Sequence, residues 1–495
     1  MSGGWANSPE DEDDEDDEEI ERAEDEASSP GGVADATPGV TVDKRAVKNR
    51  AAEAEKELDS DIAEAQDALE LFLNSRFAEA ERRLSAKNGR SLYHTLGYAT
   101  ISYLRALFTF DPSDVRKATE SLRNAVEIAA IYKKETSLVS SFTSMMTRSK
   151  EGSHIKHMTK LQRHAELVHA EAHLAKSMLS LITDSNIIAF VREGLNIRAA
   201  YNSYKNCYKF LQRTYDEEGG AQGLAKAGID EHFVSGILLG IGAFNLSLSM
   251  MPAKVLRLFE LIGFSGDRDF GLSRLEIGGE WPIRNRAGIY DHKVKPAARV
   301  RKALCDLVLL GYHIILSSLV QLPDCDMDFA KQILAYNLER HPNSFIFLAM
   351  RARVAQTEGN PAQAISEYKR VIEIQNEWRQ LVHLCIWDSA TCYGALGNWS
   401  DAHDMHETLF KESKWSKAIY KYLQAISLYA QDINGDKKEQ VGEMLKEVPK
   451  LTKKIAGKSI PMEKFVSRKC RKWQLQGGRL FLPHFEMLYI MNGFD

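Results

Sequence analysis

Two short segments decide the fold: EGNPAQA at residues 358–364 and LGNWSDA at residues 396–402. Each places Gly-Asn at a junction and Ala five residues after the Gly, and the glycines Gly359 and Gly397 are 38 residues apart. Upstream of the first junction lie Leu348 and Ala352, with Tyr368 and Val371 downstream. Ile386, Ala390 and Tyr393 precede the second, with His406 and Leu409 following. Apolar residues at steps of three and four mark helices on both sides of each junction. A Gly there accepts the left-handed conformation that ends a helix. Small residues at Ala352, Ala364, Ala390 and Ala402 let paired helices approach closely, while Leu348, Tyr368 and Ile386 fill the layer between them.

That layout is the helix–turn–helix unit of a tetratricopeptide repeat, with helices slightly longer than usual. One such pair cannot bury its own apolar face and needs neighbours stacked on both sides. A degenerate third pair stands near the N-terminus. Ile62, Ala65, Leu69, Phe72 and Leu73 form one stripe and Phe77, Ala80 and Leu84 the next, separated by Asn74-Ser75-Arg76. Further helices are expected over 92–110, from a start signal at Asp111-Pro112-Ser113-Asp114 to about 133, over 158–183 and 186–216, and over 415–429 and 439–455. Residues 134–156 read as a loop. Gly263 to Ser273 reads as a Gly-punctuated turn region, and no convincing strand pattern is present. The fold class is all-α, a tetratricopeptide-like solenoid. Its expected organisation is a disordered acidic tail (1–45), an N-terminal helical repeat-like region (46–250), a central turn region (251–294) and a C-terminal repeat region (295–495).

Charge is unevenly placed. Residues 10–26 hold fourteen Asp or Glu against one Arg, so the net charge of −5 hides a mildly basic body behind an acidic tail. The tail reads as a solubilising segment, or as a lure for a basic partner or a sheath over the protein's own basic patch. The six cysteines are scattered without a CxxC pair, which favours a reducing compartment. The N-terminus has neither a basic n-region nor an apolar h-region, so no secretory signal is expected.

The run 233–253 has no charged residue and contains small residues at Gly236 and Gly240. Its length suits a membrane span, but Ser235, Asn245, Ser247 and Ser249 and the flanking Asp230 and Glu231 suit a buried helix. Phosphate-loop and nucleophile-elbow patterns are absent. His154, His157, His164, His169 and His173 cluster, yet no Cys or His elsewhere completes a zinc set, and polar imidazoles on a wet helix face are the expected arrangement. No metal, cofactor or catalytic residue is predicted. The basic residues Lys453, Lys454, Lys458, Lys464, Arg468, Lys469, Arg471 and Lys472 form a candidate anionic-surface-binding segment. Without interleaved aromatics, specific nucleic-acid binding is not expected.

Several stretches resemble the tetratricopeptide repeat protein 39 family of animals and the related inclusion-body clearance proteins of fungi. They are Arg163-His164-Ala165-Glu166-Leu167, Gly263-Phe264-Ser265-Gly266-Asp267-Arg268, Glu377-Trp378, His383-Leu384-Cys385, Trp415-Ser416-Lys417-Ala418 and Ile455-Ala456-Gly457-Lys458-Ser459. The resemblance covers residues 60–493 in order. It implies a non-enzymatic helical protein linked to inclusion-body clearance and to lipid-droplet and sterol homeostasis. The implied location is cytoplasmic, with nuclear placement or peripheral attachment to the mitochondrial outer membrane or lipid droplets as alternatives. The acidic tail departs from that pattern, and relatives usually continue past Asp495: either a C-terminal cap is missing, which would leave an apolar solenoid end exposed, or this is a short form. The first functional expectation is an interaction scaffold for other proteins, including lipid-droplet or organelle-surface proteins. Arg353, Gln356, Trp387 and Thr391 are its partner-binding candidates by repeat position. The alternative is a membrane-associated adaptor using 233–253 or 453–472.

Overall fold

A computed structural model describes residues 42–109, 111–134, 153–183, 187–251, 256, 266–282, 301–319, 322, 325–432, 434–455 and 458–494. Residues 1–41, most of the 134–156 loop and much of the 251–294 region lie outside the described residues. Residues 40–495 cluster as one compact unit, and the expected boundaries at 250 and 294 fall inside it.

The chain opens with α1 (Lys44–Asn49), α2 (Ala51–Leu73), α3 (Phe77–Ser85), α4 (Leu92–Thr109) and α5 (Pro112–Lys134). Pro112 starts α5 where its missing N–H is no loss, and Asp111 Oδ1 accepts the Ser113 amide at 2.9 Å. A 3₁₀ turn at Ser153–His157 leads to α6 (Lys160–Thr183), α7 (Ile187–Glu217), α8 (Ala221–Lys226), α9 (Glu231–Ser249) and α10 (Arg268–Gly278). Helices α4 to α7 pack in sequence order, each against the next.

Helix α9 carries the long apolar run. It is long and apolar enough to cross a membrane, and 67% of its apolar window is buried within the fold. Its small residues are contact points: a Cβ at Gly240 would overlap the Tyr204 ring, and one at Gly236 would overlap Leu167. Asn245 is satisfied within the fold, donating to the Ile241 carbonyl at 2.8 Å. Gly271, Leu272 and Ser273, expected in a turn, are helical. Gly271 is required by a helix crossing, since a Cβ there would lie 2.7 Å from Leu246 N and 2.9 Å from Gly242 O.

The C-terminal half continues with α11 (Lys302–Leu310), which passes into a π turn at Gly311–Leu316, then α12 (Met327–Arg340) and the repeat helices. These are α13 (Phe345–Thr357), α14 (Pro361–Ile374), α15 (Arg379–Ala395), α16 (Trp399–Glu412) and α17 (Lys417–Gln431). Gly359 and Gly397 have φ of +71° and +72°, as their junctions require. Asn360 and Asn398 cap the following helices, accepting the amides of Gln363 and Asp401. In the degenerate pair Ser75 occupies the Gly position with φ of +64°. Ala80, Ala352, Ala364, Ala390 and Ala402 are all buried at the helix–helix layers.

Beyond α17 lie α18 (Lys438–Glu447), an antiparallel pair of two-residue strands, β1 (Lys454–Ile455) and β2 (Lys458–Ser459), then α19 (Pro461–Leu475) and α20 (Pro483–Ile490). The helix expected to reach residue 455 stops at Glu447, because Pro449 has no amide to continue it.

The degenerate pair supplies a neighbour for the repeat stack. Phe77 stacks on Trp378 with ring centroids 4.2 Å apart, and Phe72 meets the same ring at 5.9 Å. Ser75 Oγ accepts the Phe345 amide at 2.7 Å, and Glu377 Oε2 accepts the Ala78 amide at 2.7 Å. These contacts bring segments nearly 300 residues apart into one apolar core running from Val47 to Ala402.

Candidate functional site

On α15 the residues Leu381, Val382, Cys385 and Ile386 turn inward and are buried. Gln380, His383, Leu384 and Trp387, at steps of three and four, form the opposite face. That face borders a pocket of about 350 Å³ closed on its far side by Leu107, Phe108 and Thr109 at the end of α4. The third wall is the α16–α17 turn, where Ser416 caps α17 by accepting the Ile419 amide and so positions Trp415 and Tyr420. The Trp387, Trp415 and Tyr420 rings stand 5.8–5.9 Å from one another, edge to face or tilted. Such mutual packing fills the space among the rings and leaves their outer edges as an apolar wall.

The rim is polar and already paired. Lys414 Nζ lies 2.7 Å from Asp111 Oδ2 across the mouth, joining positions 303 residues apart in sequence. Hydrogen bonds from Lys414 and Ser113 hold the Asp111 carboxyl well below the usual range. Arg379 grips Glu412 through two bonds of 2.7 and 3.0 Å, and His383 Nε2 is 3.3 Å from the same carboxylate. Burial keeps His383 below its ordinary pKa despite Glu412, so the imidazole is neutral near pH 7. With its charges matched at the rim, the pocket offers chiefly apolar surface: Leu384 is 50% and Trp415 40% exposed. A cavity of this volume takes one or two large apolar side chains of a protein segment.

Of the four partner-binding candidates, Trp387 lines this pocket and the others sit elsewhere. Arg353 Nη1 is 2.6 Å from Asp388 Oδ1, and its Nη2 donates to Ser318 Oγ at 3.1 Å. The Tyr368 hydroxyl lies 3.1 Å from Asp388 Oδ2 and 3.2 Å from Gln356 Oε1, donating to one or the other. Arg353 thus ties neighbouring repeats together, and Gln356 faces the Tyr368 hydroxyl within its own repeat. Thr391 is buried and donates to the Trp387 carbonyl. The 35-residue spacing of Arg353 and Asp388 is about one repeat, and that periodic opposition of charges was a legible signal for the pair. The pocket itself had no such signal, because its α4 wall comes from outside the repeats.

The basic residues divide. Lys464, Arg468, Arg471 and Lys472 are exposed on one face of α19, while Lys469 pairs with Glu486 at 2.6 Å. Lys453 bonds the Lys414 carbonyl and donates its amide to Glu463. Lys454 and Lys458 lie in the strand pair, and their side chains are outside the described residues.

Of the clustered histidines, His164, His169 and His173 are drawn inward and His157 is exposed, while the His154 side chain is outside the described residues. His164 is fully buried, with Nδ1 2.7 Å from the Tyr93 hydroxyl and Nε2 2.8 Å from Asp230 Oδ2. Burial lowers its pKa, so a neutral ring accepts from Tyr93 and donates to Asp230. Burial opposes the Asp230 charge, yet the bonds from His164 and the Phe233 amide hold that carboxyl far below the usual range. Beside it Arg301, fully buried, grips Glu171 Oε2 at 2.6 and 3.0 Å and donates to the Tyr93 hydroxyl at 3.3 Å. His169, pushed down to about 3 by burial and the nearby Lys133 charge, lies tilted against His173 with ring centroids 4.7 Å apart. The Tyr–His–Asp order resembles a proton relay, but the adjoining cavity holds about 50 Å³, room for water and not for a substrate. Asp61, Glu64 and His94 bring ligand atoms within 4.8 Å of one another, and the Lys87 ammonium already occupies both carboxylates from 2.9 Å.

Residues 66–495 match the family model described as Iml2/Tetratricopeptide repeat protein 39. Tetratricopeptide repeat protein ttc-39B of Caenorhabditis elegans is 32% identical over 441 residues, spanning 89% of this chain and 72% of the nematode protein.

Proposed function

The chain belongs to the Iml2/Tetratricopeptide repeat protein 39 family, and on that premise we propose that it is a non-enzymatic interaction scaffold. It captures apolar side chains of partner protein segments in the pocket between α4, α15 and the α16–α17 turn. The observation that carries this reading is the half-exposed Leu384 beside the Trp387–Trp415–Tyr420 wall of a 350 Å³ pocket. Exposed apolar surface of this kind costs free energy in water and is retained where something covers it. Helical repeats support the reading, since stacked helices present fixed concave surfaces to partner segments.

The partners expected are proteins of misfolded inclusions, or of lipid-droplet and sterol homeostasis, with a cytoplasmic site of action. That expectation rests on family resemblance. Proximity labelling with the intact chain and with Leu384→Asp tests the pocket. A carboxylate placed in the mouth removes partners whose apolar side chain enters it, with no loss of stability at a half-exposed position. Arg353→Ala serves as the contrasting variant, expected to lower stability by breaking a bond between repeats. A partner list unchanged by Leu384→Asp rules the pocket out as the docking site.

A further inference from the structure

We propose that residues 461–482, which are α19 and the turn after it, form a docking surface for an anionic lipid bilayer, entered by Leu475 and Phe481. The surface is separate from the pocket and does not depend on what the pocket binds.

Helix α19 has two faces. Glu463, Val466, Cys470 and Trp473 are buried against the fold. Lys464, Arg468, Arg471 and Lys472 lie opposite, spaced so that they share one stripe. Leu475 comes four residues after Arg471, so the same stripe ends in an aliphatic side chain that is 81% exposed. Gly477 and Gly478, with φ of +61° and +77°, then reverse the chain. Leu480 anchors the returning segment, buried and accepting the Tyr429 hydroxyl at its carbonyl. Its neighbour Phe481 is thereby turned outward and is 90% exposed.

Within 461–482 the exposed charges are Lys464, Arg468, Arg471, Lys472 and Arg479, all positive. The one acid of the segment, Glu463, is buried and consumed by bonds from Ser416 Oγ and the Lys453 amide. A basic stripe ending in two projecting apolar side chains matches a bilayer surface, where phosphates meet the cations and acyl chains take the apolar tips. A nucleic acid fits less well: successive bases stack on several rings, and Phe481 is the one exposed ring of the segment. A lipid surface also needs no matching hollow for side chains that project this far.

The test is co-flotation of the full chain with vesicles of phosphatidylcholine alone and of phosphatidylcholine with phosphatidylserine. Binding is expected to the anionic vesicles only, and to weaken as salt is raised. Each cation near such a surface contributes about fivefold in partitioning. Arg471→Glu with Lys472→Glu should therefore lower binding about 25-fold or more. Leu475→Ser with Phe481→Ser should abolish the fraction that resists raised salt. All four positions are exposed, so thermal unfolding midpoints should match the parent chain. The proposal is overturned by equal binding to neutral vesicles, or by either double variant binding as the parent does. Displacement from anionic vesicles by an oligonucleotide that the charge-reversed variant no longer binds also overturns it. None of these outcomes bears on the pocket, which Leu384→Asp reads separately.

Discussion

The repeat stack and the block that precedes it are both helical, yet different chemistry holds them. In α13–α17 each helix meets its sequence neighbour through small and apolar residues, and the Arg353–Asp388 pair spans about one repeat length. In α4–α11 apolar packing of the same kind is joined by buried polar groups from distant helices. Tyr93 meets His164, His164 meets Asp230, and Arg301 reaches back to Glu171 and Tyr93. The stack can be assembled from local pieces, as repeat arrays are. The block needs its partners present together, because an unmatched charge in its interior is costly.

Removing one buried partner should produce the largest loss. Arg301→Met leaves the Glu171 carboxylate without its counterion and should cost about 4 kcal/mol, read by urea unfolding. If the comparison holds, hydrogen exchange should quicken in α4, α6 and α9 well before α15–α17. Uniform quickening would mean that block and stack unfold as one cooperative unit.

Trp378→Ala attacks the joint between the stack and the N-terminal pair α2–α3. It deletes the ring on which Phe77 stacks and should cost about 3 kcal/mol. Exchange should rise in α2 and α3 while α15 and α16 keep their protection. Were α2 and α3 unaffected, the N-terminal pair would be stable without the stack.

The smallest expected effect is a pH dependence inside the stack. Burial, with the charge of His403 adding to it, pushes His406 down to about 3. Its folded pKa lies below the ordinary 6.5, so the folded state takes up fewer protons than the unfolded one. The stabilisation is complete above pH 6.5 and is lost as pH falls below it, by about 2 kcal/mol at pH 5. Urea midpoints at pH 7 and pH 5 check the sign, and His406→Leu should flatten the difference. A slope unchanged in that variant would assign the effect to other histidines whose pKa burial lowers, among them His169, pushed down to about 3.

Some helix bounds in both regions were legible. Pro112, Gly359, Gly397, Asn360 and Asn398 act through their own backbone and the next few amides, so local sequence suffices for them. The all-α class and the third repeat-like pair followed from spacing in the same way. Side-chain direction was less legible. Arg353 and Gln356 lie where a repeat can face a partner, but Asp388 and Tyr368 draw them inward. Gly271 looked like a turn because glycine serves turns and close helix crossings alike. His164 looked solvent-facing because its partners, Tyr93 and Asp230, lie 71 and 66 residues away.

By itself the sequence determined that this chain is a helical repeat protein, where α4–α7 and the helices flanking Gly359 and Gly397 begin or end, and which faces are apolar. Periodicity reports the face a residue occupies on its own helix, and that much is local. Only the tertiary structure decided which face meets which. It set Phe77 on Trp378, Lys414 across from Asp111, and the end of α4 opposite Leu384 and Trp387. Contacts across some 300 residues depend on the packing of everything between them, and no local pattern encodes that. The candidate docking pocket exists only because that packing closes.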